Sequence, residues 1–140
     1  MKTERKSYYS LLTLTGMFII SLFLWSCGGG HNQAQKRKLE EVKEDTELQF
    51  RQLRNDVEKR INFLDEQIEE ASGEVREELK EARAELKKQI EKIDEKCEHV
   101  RKATLETWES VRNSAQQRYR EVRSSTNEIT KKINELLEDD

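Results

Sequence analysis

The chain of 140 residues contains no proline. No φ angle is locked by a ring and no backbone donor is lost, so no helix has to end for that reason. Glycine is scarce at five residues, three of them consecutive as Gly28-Gly29-Gly30, with Gly73 the only one after them. A phosphate-cradling loop needs spaced glycines between a strand and a helix, and none is present. Two cysteines, Cys27 and Cys97, are too few for a disulfide framework. His31 and His99 are far apart, and neither has a second ligand at metal-binding spacing. Positive charge is not in excess: the formal net charge is −3, which argues against a basic face for nucleic acid. Aromatics make up only 6% of the chain and charged residues 39%. That mixture cannot fill a large globular core, and with no proline it points to long helices.

One long uncharged run is present. Lys2, Arg5 and Lys6 outweigh Glu4 at the start, and Leu11 to Trp25 follows without a charge. That run is shorter than the roughly 20 residues of a spanning helix and suits the apolar region of a secretory signal. Ser26, small, precedes Cys27, and Leu24 lies three residues before it. Leu24-Trp25-Ser26-Cys27 resembles the lipobox that ends the signal peptide of a bacterial lipoprotein, although Trp25 is bulkier than the residue usual at that place. The resemblance covers Met1 to about Gly30. It implies cleavage after Ser26, lipidation at Cys27 and anchorage in membrane lipid through the acylated cysteine. Gly28 stands where an Asp often signals inner-membrane retention, and no acidic surface-export cluster follows. The resemblance therefore implies an outer-membrane lipoprotein facing the periplasm. The alternative is an uncleaved anchor in which the uncharged segment 8–26 just spans the bilayer.

The remaining 114 residues carry −5, because the first 26 carry +2. The reading divides the chain into a signal peptide at 1–26, a lipidated cysteine and flexible tether at 27–38, and a helical coiled-coil region at 39–138. A stripe of mostly apolar residues runs from Leu39 through Phe50, Leu53, Val57, Leu64, Ile68, Leu79, Leu86, Ile90, Ile93, Cys97, Val100, Trp108, Tyr119 and Ile129 to Leu136. With Val42, Thr46, Ile61, Ala71, Val75, Ala82, Thr104, Val111, Ala115, Val122, Thr126 and Ile133 between them, its steps are all three or four residues and average about 3.6, the α-helical period. Heptad and hendecad pieces alternate, which predicts little supercoil. The expected fold is all-α: one long, nearly straight amphipathic helix or coiled coil. The alternative is a helical hairpin or small bundle folded at Gly73, at Ser124-Ser125-Thr126-Asn127, or at both. The stripe keeps phase across both places, which favours continuity.

The stripe is narrow, as a seam covered by a partner helix would be. Leu79, Leu86, Ile90, Ile93, Cys97 and Trp108 are the candidate interaction seam, and self-association or a helical protein partner is expected through them. Cys97 reads either as a small buried apolar residue or as a site where two copies meet and bridge. Carboxylates abound, but no segment forms a pocket that would raise one pKa for acid–base work. No catalytic residue, metal, cofactor, small-molecule substrate or nucleic acid is expected. The plan of lipobox, tether and helix resembles the small helical murein lipoproteins. Leu136-Leu137-Glu138-Asp139-Asp140 lacks their terminal lysine, so covalent wall attachment is not expected. The function expected is a lipid-anchored, non-enzymatic helical rod of the cell envelope. The alternative is a periplasmic adaptor presenting its apolar seam to a partner or membrane surface.

Overall fold

The computed structural model describes residues 32–139. The segment expected to be a signal peptide, Cys27 and residues 28–31 of the expected tether lie outside the described residues, whereas residues 32–38, expected as flexible tether, are already helical. Three helices follow in order: α1 spans Asn32–Glu70, α2 spans Gly73–Lys102 and α3 spans Trp108–Glu138. At 1.5 Å per residue, α1 is about 58 Å long and the other two about 45 Å each. The expectation of an all-α fold holds. The single straight helix does not, because the chain folds back twice. The alternative, a small bundle folded at Gly73, is what the described residues form. Ser124-Ser125-Thr126-Asn127, the other suspected break, is uninterrupted helix within α3.

The first turn is very short. Only Ala71 and Ser72 are non-helical, and Gly73 takes φ +63° at the entry to α2. Glycine tolerates that left-handed conformation without the Cβ penalty that others pay. A reversal this tight leaves the apolar period intact on either side, which is why phase continuity did not reveal it. The second turn, residues 103–107, is closed by a reciprocal pair. The Thr104 N–H donates to Thr107 Oγ1 at 2.9 Å, and the Thr107 N–H donates to Thr104 Oγ1 at 3.3 Å. These bonds lie within the turn, ahead of α3, whose own N-cap, Thr107, makes no side-chain capping bond.

Cross-helix pairs fix the register. Glu47 meets Arg101, Arg54 meets Asp94, and Asp65 meets Arg83. As the α1 number rises by seven and then eleven, the α2 number falls by the same amounts, so α1 and α2 are antiparallel. Phe50 packs on Tyr119 and Arg60 donates to Thr130 Oγ1, placing α3 parallel to α1. Lys96 on α2 reaches Ser114 on α3 across the second turn. The α2 and α3 backbones come closest together. Each carries a fully buried alanine, Ala82 and Ala115, and small side chains permit a short interaxial distance.

The core is the stripe itself. Phe50, Val57, Leu64, Leu79, Leu86, Ile93, Val100, Val122 and Ile133 are buried, with Ile61, Val75, Ile90, Val111 and Leu136 packed against them. Each fully buried large aliphatic contributes roughly 1.5–3 kcal/mol. Val42 and Thr104 are the stripe members left exposed.

Candidate functional site

The candidate seam is inside the bundle. Leu79, Leu86 and Ile93 have no exposed surface, and Ile90 is partly buried against the same core. Cys97 is a buried free thiol, 8% exposed. Trp108 begins α3 and rests half-buried on the core. All six seam residues are thus brought together, but by the chain's own helices. Tyr119 stacks edge-to-face on Phe50, with ring centroids 5.8 Å apart. His99 is exposed on α2. Among the described residues, no three His, Cys, Asp or Glu side chains are grouped to hold a metal ion.

One surface depression lies between α1 and α2. It is a shallow groove of about 310 Å³ lined by Arg51, Arg54, Ile93, Asp94, Cys97, Glu98 and Arg101. Its cations are engaged. Arg54 donates Nε to Asp94 Oδ1 at 2.9 Å and also pairs with Glu58. Arg101 Nε donates to Glu47 Oε2 at 3.3 Å, and Arg51 lies 3.6 Å from the same carboxylate. The hydrogen bond to Asp94 raises the Arg54 pKa further, so this charge is permanent. Glu98 is held below the usual carboxylate range by its hydrogen bond from Lys102. Burial pushes the Cys97 thiol up, and the Arg101 charge only partly opposes that. A thiol raised in this way stays protonated near neutrality and is a poor nucleophile and a poor metal ligand. A second, smaller groove of about 210 Å³ is lined by Glu85, Lys88, Gln89 and Lys92 of α2 and by Ser125, Glu128 and Ile129 of α3. It carries charges of both signs, two glutamates and two lysines.

Two buried lysines define contacts that the apolar pattern does not show. Lys43, 8% exposed, sends Nζ to the carbonyls of Arg101 and Ala103 at 2.7 and 3.1 Å. These are carbonyls at the C-terminal end of α2, which intrahelical bonding leaves open and where the helix dipole favours a cation. Lys96, equally buried, donates to Ser114 Oγ at 2.7 Å. A signal was available. Leu39-Lys43-Thr46-Phe50 and Leu86-Gln89-Ile93-Lys96-Val100 are themselves rows of three- and four-residue steps. They mark a second rank of inward positions beside the apolar stripe. Polarity hid them, because long side chains can bury their stems while the head finds a partner.

Comparisons with protein-family models, with curated proteins and with solved structures found no match for this chain.

Proposed function

We propose that this protein is a lipid-anchored, non-enzymatic helical element of the bacterial cell envelope, held in the outer membrane and facing the periplasm. The observation that carries the reading is Leu24-Trp25-Ser26-Cys27, which closes an uncharged run after a basic start. Two further observations support it. No helix among the described residues is long and apolar enough to cross a membrane, so an anchor elsewhere suits them. The described grooves are shallow and lined by ion pairs, which suits a structural or interaction role better than chemistry on a small substrate. Acylation at Cys27 supplies the membrane attachment, since each buried CH₂ contributes about 0.8 kcal/mol. The bundle then serves as a stiff body on a short tether. Its partner is a second copy or another helical protein. An adaptor presenting the seam in the folded bundle is disfavoured, because Leu79, Leu86 and Ile93 face inward.

Metabolic labelling with a fatty-acid analogue tests the anchor. The wild type takes up label and Cys27→Ala does not. Equal labelling of the two would end the lipoprotein reading.

A further inference from the structure

The two turns of the bundle differ in how firmly they are held. Residues 103–107 are closed by the reciprocal Thr104–Thr107 bonds, and Lys43 clasps the adjoining end of α2. The first turn has no such fastening. Ser72, at the N-cap of α2, makes no side-chain capping bond. The reversal rests on two non-helical residues and the left-handed conformation of Gly73. A Cβ at Gly73 would meet nothing within 4 Å, so only backbone conformation, not packing, sets the preference there.

The apolar stripe also keeps helical phase through this turn, as Ile68, Ala71, Val75 and Leu79. If Ala71 and Ser72 become helical and Gly73 leaves the left-handed conformation, α1 and α2 join into one continuous helix over 32–102 with the stripe unbroken on one face. Its length is about 105 Å. The α1 of that chain then leaves its own bundle and can lie only on the vacated α2–α3 surface of another. Every contact that α1 makes with α2 and α3 re-forms between chains, because the α1–α2 register is antiparallel about the turn itself, while the α2–α3 contacts stay within each chain.

We propose that a second copy of this chain is the partner, and that the two associate by exchanging α1 about Gly73. This deepens the interaction role proposed above and rests on it. The cost is confined to the turn, which is the circumstance that makes exchange of an identical element a low-cost route to a dimer. In the exchanged pair the two α1 starts lie at opposite ends of the joined helices. A protein anchored near residue 27 is then held at both ends.

Mixed-isotope cross-linking of the full, detergent-solubilised chain tests this. The Arg83→Lys background places an amine opposite Asp65, with which Arg83 now pairs at 2.6 Å. Chains grown on light and heavy nitrogen are mixed, incubated and coupled with a zero-length carbodiimide. A 65–83 cross-link joining one light and one heavy peptide reports exchange, while one of a single isotope at high dilution reports the closed bundle. The mixed product is expected to form and to grow with protein concentration. Gly73→Ala, which favours helix over the left-handed turn, raises it on the order of tenfold. Gly73→Asn, which tolerates the left-handed conformation, stays near wild type. Unchanged helicity by circular dichroism confirms that each variant folds. Single-isotope products alone in both wild type and Gly73→Ala overturn the exchange. If native mass measurement then shows a dimer, self-association stands by another surface. If it shows a monomer, partnership with a second copy fails as well, and the lipid anchor remains to be judged by its own labelling experiment.

Discussion

A lysine held within a helical core destabilises it unless its ammonium finds partners, and Lys43 finds two carbonyls of a helix end. The arrangement ties α1 to the α2 terminus over 58 residues of sequence. Lys43→Met keeps the stem and removes the donor. It leaves the Arg101 and Ala103 carbonyls without that bond, and the loss expected is about 1.5–3 kcal/mol. Chemical denaturation should show the midpoint falling with an unchanged slope. A shift as small as that of an exposed lysine such as Lys87 would mean that the clasp contributes nothing. Gln89 Oε1 and Thr126 Oγ1 are buried without a hydrogen-bond partner among the described residues. The core is thus polar at a few places that the stripe alone would not suggest. Cys97 behaves as a small apolar side chain. With its pKa raised in the fold, the unfolded chain loses its thiol proton first as pH rises, so this group costs stability above the usual thiol range and contributes nothing below it.

At the scale of elements, helix content follows from composition, but the breaks follow from turn chemistry. Ser125 and Glu128 have the spacing of a capping box, as do Thr104 and Thr107. Only the second pair makes reciprocal side-chain bonds to backbone N–H groups, within the turn that precedes α3. Within α3 the backbone around Ser125 is already satisfied by its own helix, with Thr126 and Ile129 buried against the core. At Thr104 the chain leaves α2 with Ala103 in an extended conformation, and the free N–H groups of the turn need acceptors. Replacing Thr104 and Thr107 together with Ala should therefore cost about 1–2 kcal/mol. Ser72→Ala, where no capping bond is made, should stay within about 0.5 kcal/mol. Thermal melts of the three proteins check the contrast, and equal losses would remove the distinction drawn between the two turns.

At the scale of the bundle, one distance separates the folded form from a straight helix. Spin labels at the exposed positions Gln52 and Glu95 sit on facing helices near the Arg54–Asp94 pair. Packed helices are about 8–10 Å apart, so labels within one chain should lie within roughly 25 Å. A continuous helix would hold them about 65 Å apart at 1.5 Å per residue. Dilution of labelled with unlabelled chains keeps the measurement within one molecule. A major population at the long distance under dilute conditions would remove the three-helix bundle as the resting state.

The sequence by itself determined the helical character of residues 39–138, apart from the turns, and nearly all of the core; it took residues 32–38 for tether, although they begin α1. A 3.6-residue apolar period with no proline admits few other outcomes, and each stripe residue from Phe50 to Val100 is buried or packed against the core. It also placed Gly73 as a possible fold. Only the tertiary structure decided that the chain turns there and again at 103–107, and that the seam is covered from within. The reason is physical. A helical period records which face must be dry, and the same face can be dried by a second copy or by the chain's own return. Two non-helical residues and one left-handed glycine change the outcome without disturbing the period. Lys43 and Lys96 belong to the same class: their spacing marks inward positions, but which distant carbonyl or hydroxyl each ammonium meets is decided only by how the helices pack.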